Sequence, residues 1–397
     1  MSQVLFLAAA SASAMFPWRR VPAWVGPTLL AAIALATRLV PFSAARTASH
    51  DLANAIAFLL LAVPLAVLLD ETGFFTALAE RIESGRHLRL GLWVLAALVT
   101  VVFNLDAAVV LLTPLYVRVA LRHDEDPVVL GLIPALLASL ASSVLPVSNL
   151  TNLIAVQRLH LGTGAFVTHL ALPSIVAVGV GAWVFLRVAP HRVVVARTDA
   201  RPEPAHRDDG AAMRIGIPIV VFLLLGFTAG ARVGIPAWSV AAIALIVLMV
   251  RNLEVPWRHV PFGAALLAAG LGVLATAAAE HLPIEHVLGI DGIPGDLATI
   301  GVMAVGANAV NNLPALLVTL PSLDHHHARV WSVLLGVNLG PTLWVTGALS
   351  TLLWQATMKR LGHAVTARTY VTTAARVGVP SLAAATAVHV GLTLLTR

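Results

Sequence analysis

Two polar motifs recur in an otherwise apolar chain, and they restrict the folds open to it. Residues 104–114 read Asn-Leu-Asp-Ala-Ala-Val-Val-Leu-Leu-Thr-Pro, and residues 311–321 read Asn-Asn-Leu-Pro-Ala-Leu-Leu-Val-Thr-Leu-Pro. Asn104, Ala108 and Pro114 fall on Asn311, Ala315 and Pro321 at one offset of 207 residues (311 − 104), with no gap. A second motif follows each: Ser148-Asn149-Leu150-Thr151-Asn152, then Val337-Asn338-Leu339-Gly340-Pro341-Thr342. Amides and carboxyls are costly in hydrocarbon unless they meet a partner or a wet cavity. A chain that places them there twice, in the same order, has the pattern of an internally repeated transporter with its site at the repeat interface.

That reading requires a membrane, and the composition supplies one. Of 397 residues, 59% are hydrophobic and only 11% charged, with a mean hydropathy of +0.90. Soluble domains average about 25% charged residues. The apolar segments run roughly 17–25 residues, the length of spanning helices and not of alternating barrel strands. The expected class is therefore an all-α integral membrane protein. The net charge of +6 comes from arginine, with Lys359 the one lysine. In such a chain this excess reads as topology. The basic runs interleaved with aromatics that mark a nucleic-acid surface are absent. Without cysteine there are no disulfides, thiolate metal sites or cysteine nucleophiles. Residues 1–16 lack the basic start of a signal peptide and are followed by Arg19-Arg20, which predicts a first span.

Hydropathy predicts spans near 3–16, 22–40, 52–69 and 165–189, with stretches at 90–120 and 129–156 broken at their polar motifs. The hydrophilic residues 190–214 divide the chain into repeats at 1–189 and 215–397. The second repeat has spans near 215–231, 236–252, 262–279 and 371–395, with broken stretches at 297–323 and 330–356. If 90–120 and 297–323 are re-entrant hairpins and 190–214 is cytoplasmic, the 25 Lys and Arg distribute unevenly. Only Arg38, Arg46, Arg158, Arg232, Arg329 and Arg397 then fall outside, as the positive-inside rule requires. The expected architecture is an inverted repeat of two five-span halves, each with a re-entrant hairpin and a broken helix, multi-pass in the inner membrane.

A hairpin tip exposes backbone that must be buried in protein or line a cavity. Asn104 lies roughly 20 Å into its hairpin at 1.5 Å per residue, near mid-membrane. Asn suits such tips because its side chain satisfies broken backbone and tolerates unusual dihedrals. Half-helix N-termini there can meet ligand oxygens, and Pro314 starts one favourably. The candidate substrate contacts are Asn104, Thr113, Ser148, Asn149, Thr151, Asn152, Asn311, Asn312, Asn338 and Thr342. Helix–helix hydrogen bonding is the structural alternative for the same residues. Asp106 is the one carboxylate within the four motifs. It is the candidate proton carrier, with helix capping as its alternative or additional role. Leu313 aligns with it in the second half, so coupling would be asymmetric.

Other polar residues carry plainer expectations. Asp70-Glu71-Thr72-Gly73-Phe74-Phe75 reads as a solvated helix end with an interfacial aromatic anchor. His325-His326-His327 reads as a solvated loop and not a metal site. Glu280, His281, Arg158 and His160 read as interfacial. No paired nucleophile or second carboxylate sits at the breaks, which leaves an intramembrane enzyme a remote reading. No cofactor is expected.

Taken together, Leu69 through Phe75, Phe103-Asn104-Leu105-Asp106 through Thr113-Pro114, Val147 through Asn152, and Gly336 through Pro341 with Gly347 through Trp354 resemble the arsenite/antimonite efflux permeases of the ion transporter superfamily. The resemblance covers most of the chain from 69 to 354. It implies export of arsenite or antimonite against proton influx, alone or with a soluble ATPase subunit. Relatives in that superfamily that move Na⁺, protons or carboxylates are the runner-up, as a Na⁺/H⁺ antiporter or Na⁺-coupled anion transporter. The dicarboxylate branch is a poorer match: its Ser-Asn-Thr is absent from both tips, and no Arg or Lys lies in the four breaks. With no cysteine, an arsenic site here would recognise hydroxyls.

Overall fold

The computed structural model describes residues 1–16, 21–189 and 209–395, with the backbone alone at Asp209. Among them every regular element is a helix. The first half supplies α1 (Ser2–Met15), α2 (Val25–Ala36), α3 (Phe42–Glu71), α4 (Phe74–Glu83), α5 (Leu88–Phe103), α6 (Leu105–Arg122), α7 (Pro127–Leu140), α8 (Leu150–Arg158) and α9 (Thr163–Val188). The second supplies α10 (Asp209–Leu225), α11 (Ala237–Asn252), α12 (Phe262–Ala278), α13 (Ile284–Leu288), α14 (Gly292–Val310), α15 (Asn312–Leu323), α16 (Val330–Leu339), α17 (Leu349–Arg360) and α18 (Ala367–Leu395). Among the described residues, six helices are long and apolar enough to cross a membrane. Most of the 190–214 linker, together with Arg19, Arg20 and Arg397, lies outside the described residues. Its last six positions differ from expectation, because α10 already begins at Asp209.

The expected breaks at Asn104 and Asn311 fold back on themselves. Tyr116 donates its hydroxyl to the Leu92 carbonyl at 2.5 Å, and both residues lie twelve positions from Asn104 (116 − 104, 104 − 92). In the second half Thr319 reaches Met303 Sδ at 3.6 Å, and both lie eight positions from Asn311 (319 − 311, 311 − 303). Each pair is equidistant from its Asn, which is the geometry of a helical hairpin.

The broken helices share a second register. The 3₁₀ turn Pro146–Ser148 joins α7 to α8, and the 3₁₀ turn Gly340–Leu343 lies between α16 and α17. Leu140 ends α7 as Leu339 ends α16, and Asn149 precedes α8 as Ala348 precedes α17, both at an offset of 199 (339 − 140, 348 − 149). At that offset Asn338 aligns with Ser139, inside a helical arm, and Ala348 aligns with Asn149.

The halves do not form separate bundles. Helix α9 packs along α18, α3 against α11 and α12, and α6 against α17. Trp354 Nε1 on α17 donates to the Gly131 carbonyl on α7 at 2.5 Å.

The Asp70–Phe75 segment is also corrected. Gly73 adopts φ 87°, and its N–H bonds the Asp70 carbonyl at 2.8 Å, so α3 stops and α4 starts at once. That turn drives Phe74 and Phe75 inward. Both are buried, and Phe75 meets Phe103 edge-on at 5.7 Å, directly below the hairpin tip. The aromatics therefore support the tip and do not anchor at an interface.

Candidate functional site

Both hairpin tips hold the same rare backbone. Asn104 has φ 85° and ψ 153°, and Asn311 has φ 82° and ψ 152°. This region is essentially glycine-only and costs about 1–3 kcal/mol for other residues. Each Asn caps the arm that follows. Asn104 Oδ1 accepts from the Asp106 N–H at 2.8 Å, and Asn311 Oδ1 accepts from the Leu313 N–H at 3.2 Å. Two orphan helix donors are thereby satisfied by one side-chain type in one conformation.

The broken helices meet through a buried amide network. Asn338 Oδ1 accepts from Asn149 Nδ2 and from Thr151 Oγ1, each at 2.9 Å. Asn338 Nδ2 donates to Asn152 Oδ1 at 2.6 Å, and Asn152 Nδ2 donates to the Ser142 carbonyl at 2.7 Å. The displaced register of Asn338 makes this possible: from the α16 arm its amide reaches the α8 N-terminus of the other half. Asn149 Oδ1 also caps Thr151 N–H at 3.2 Å.

Each hairpin is docked on its neighbouring break. Ser148 Oγ donates to the Val101 carbonyl at 2.9 Å. In the second half the polar side chain sits on the hairpin instead, where Asn308 Nδ2 donates to the Gly340 carbonyl at 2.8 Å. Thr346 Oγ1 returns a bond to the Asn308 carbonyl at 3.2 Å, and Asn312 N–H donates to the Gly347 carbonyl at 3.0 Å. Gly347 cannot carry a side chain there, since a Cβ would lie 2.6 Å from Pro341 Cα and 2.9 Å from Asn308 Oδ1.

All four breaks border one small cavity, of about 30 Å³. Leu105 and Asp106 come from hairpin one, Asn311, Asn312 and Leu313 from hairpin two, Asn149, Leu150 and Thr151 from α8, and Leu349 from α17. Leu59 of α3 and Leu267 of α12 complete its wall with two alanines. The volume suits roughly one or two waters. Several buried polar atoms around these breaks have no hydrogen-bond partner, among them Asp106 Oδ1, Asn104 Nδ2, Asn308 Oδ1 and Ser350 Oγ. The Asn312 side chain makes no hydrogen bond among the described residues, and it is the least committed amide at the cavity. No basic residue lines it.

Of the residues expected from sequence, Asp106, Asn149, Thr151, Asn311 and Asn312 border the cavity. Asn104, Ser148, Asn152 and Asn338 stand behind it and hold the breaks. The structure does not bring Thr113 or Thr342 to the cavity. Thr113 is enclosed on α6 beyond the tip, and Thr342 Oγ1 donates to the Leu339 carbonyl within its own turn. Asn308, Thr346 and Ser350 are close to the site and escaped the sequence reading. Asn308 lies one turn before Asn311, a spacing that would have flagged it.

The remaining polar candidates settle away from the cavity. Arg158 pairs with Asp324 at 2.7 Å and Asp51 at 3.5 Å, tying α8 to the end of α15. His325 and His327 are exposed, and no metal-ligating cluster of three or more His, Asp or Glu exists among the described residues. Glu280 and His281 are exposed. A larger cavity of about 640 Å³ lies beside α5, walled mostly by apolar groups such as Leu90, Val94 and Leu98, with Arg81, Arg86 and His87 also in its lining. None of the four breaks contributes a polar side chain to it.

Residues 13–349 match the model of the citrate-transporter family. The chain belongs to that family. Its similarity to arsenical pump membrane proteins accords with the resemblance carried by the motifs: 28% identity over 359 residues to that of Escherichia coli strain K12, covering 82% of this chain and 83% of the relative. Another from Escherichia coli is 26% identical over 404 residues, covering 92% and 94%. The Alcanivorax borkumensis YdaH transporter shares the fold at 13% identity, with a TM-score of 0.58 over 89% of this chain and 88% of that one. The family member described here is thus a multi-pass membrane transporter and not an enzyme.

Proposed function

We propose that this transporter exports a small neutral oxyacid, arsenite or antimonite, across the inner membrane in exchange for protons. One observation carries the reading: the cavity where four breaks meet presents amides, a hydroxyl and a carboxylate, with no basic side chain. Amides and hydroxyls suit a substrate bearing neutral hydroxyl groups. The names of the arsenical pump relatives support the same substrate class. Asp106 serves as the exchangeable proton site, since its Oδ1 has no competing partner.

Citrate is the second reading, favoured by the name of the matching family model. It fits the cavity less well. A polyanion would meet Asp106 and find no Arg or Lys to pair with. In the proposed architecture, residues 1–189 and 215–397 are inverted repeats joined by a cytoplasmic 190–214. The shared tip conformation and the constant offsets of 207 and 199 support that arrangement.

Expression in a strain lacking its own arsenite exporter tests the substrate. Resistance to arsenite and antimonite, abolished by a protonophore and independent of Na⁺, is expected. Citrate-dependent counterflow without arsenite transport would replace the proposal with the second reading, and Na⁺ dependence would replace the coupling ion.

A further inference from the structure

A second enclosed ionisable cluster lies away from the central cavity. Asp296 on α14, Ser332 on α16 and His389 on α18 are 2%, 0% and 3% exposed. Arg329, in the 3₁₀ turn His327–Arg329 that leads into α16, is 7% exposed. Ionisable groups in a membrane protein interior are costly and usually mark ion paths.

Part of the cluster has a structural explanation. Arg329 donates to the Leu288, Ile290 and Gly292 carbonyls and to Asp296 Oδ1, closing the chain around the start of α14. The remainder does not. Asp296 Oδ2 is buried with no partner. Ser332 Oγ stands 2.9 Å from Asp296 Oδ1 and 3.0 Å from His389 Nε2. A hydroxyl has one hydrogen, so donation to an ionised Asp296 leaves its oxygen to accept from His389 Nε2–H. The chain then admits one further proton without losing a hydrogen bond. It can sit on His389, whose imidazolium still donates through Nε2, or on Asp296 Oδ2.

The groups facing His389 are few. Asp296 and Ser332 approach from α14 and α16, with Arg329 behind the carboxylate. His169 approaches from α9, its Nδ1 bonded to the Ala165 carbonyl at 2.8 Å and its ring stacked on Trp331 at 4.5 Å.

We propose that Asp296, Ser332 and His389 form a second proton-binding site, joining the first arm of hairpin two to the last helix. The site is independent of Asp106. It rests on the proton-exchange reading only in supposing that its proton belongs to the transport cycle. A proton there alters the bonds between α14, α16 and α18, so hairpin two carries its own protonation-sensitive contact at its base.

The test reads protonation directly. Protein labelled with ¹⁵N-histidine, in nanodiscs, is compared with H389Q to assign the His389 resonance. In the wild type that resonance should pass reversibly between its neutral and protonated forms as the pH is lowered. Its midpoint should move by about one pH unit or more in D296N and stay put in D106N. Because D296N leaves Arg329 without its carboxylate and can fail to fold, S332A is the second variant: it keeps the ion pair, cuts the chain and should also move the midpoint. A His389 resonance that does not titrate, or one indifferent to both variants, would overturn the site. Transport places it in the cycle. H389Q should flatten the pH dependence of uphill export, whereas D106N should stop uphill export at every pH. Titration of His389 in a protein found to move citrate or Na⁺ would sink the substrate reading and leave this site standing.

Discussion

Two asparagines hold their backbones where almost only glycine goes, and each uses the awkward geometry to aim its side chain at the next helix. Asn104→Gly should therefore separate strain from capping. Losing the cap to Gly costs a few tenths of a kcal/mol, while releasing the backbone returns about 1–3 kcal/mol. The variant should melt at or above the wild-type temperature. If the held geometry serves the site, transport should fall at the same time; a stable variant with full transport would make the strain incidental. Asn312→Ala is a cleaner probe of the cavity than Asn149→Ala, because the Asn312 side chain carries no structural bond to lose. A buried polar contact worth roughly 1–3 kcal/mol predicts a tenfold to hundredfold loss of substrate affinity with unchanged thermal stability. Unchanged affinity would return Asn312 to packing. Asp106→Asn keeps size and hydrogen bonding but holds no exchangeable proton. It should abolish proton-driven accumulation in everted vesicles while downhill exchange persists. Accumulation surviving in that variant would leave Asp106 as the first-turn acid of α6.

At the scale of elements, the breaks do different work. The hairpin tips face the cavity, whereas much of the broken-helix polarity is spent on clamping. Asn338→Ala removes three hydrogen bonds at once. At about 0.6 kcal/mol per bond, typical of membrane helices, the loss is roughly 2 kcal/mol. Ser148→Ala removes one and should cost about a third as much, a ranking that thermal melts of the detergent-solubilised protein can check. Equal melting temperatures would mean the amide network carries no net stability. The same distinction marks what the sequence made legible. The all-helical membrane class and the helix breaks at Asn104 and Asn311 followed from hydropathy and a fixed offset. The register of the broken helices did not, because Ala348 carries no polar group where Asn149 stands in the first half, and the amide of that motif, Asn338, lies ten positions earlier (348 − 338). Nor did sequence separate lining from clamping residues. Asn149 and Asn338 belong to equally polar motifs, and only packing between the halves decides which amide meets the cavity. Phe74 and Phe75 were misplaced for the same reason, since the left-handed turn at Gly73 that buries them is a three-dimensional event.

For the whole molecule, the cysteine-free background makes orientation directly measurable. Ala205→Cys should be shielded from impermeant thiol reagents in intact cells and react in everted vesicles. Labelling from outside would reverse the orientation. The interleaving of the halves also bears on how the protein is made. Asn149, Thr151 and Asn152 enter the bilayer long before Asn338, which lies 186 to 189 residues further along the chain. At about 5–20 residues per second, synthesis leaves those groups waiting on the order of 10–40 s. For that interval Asn149 Nδ2, Thr151 Oγ1 and Asn152 Oδ1 lack the partner that Asn338 later supplies. The insertion machinery must shelter them, and a ribosome stalled anywhere between the two helices leaves a chain fit for quality-control proteolysis.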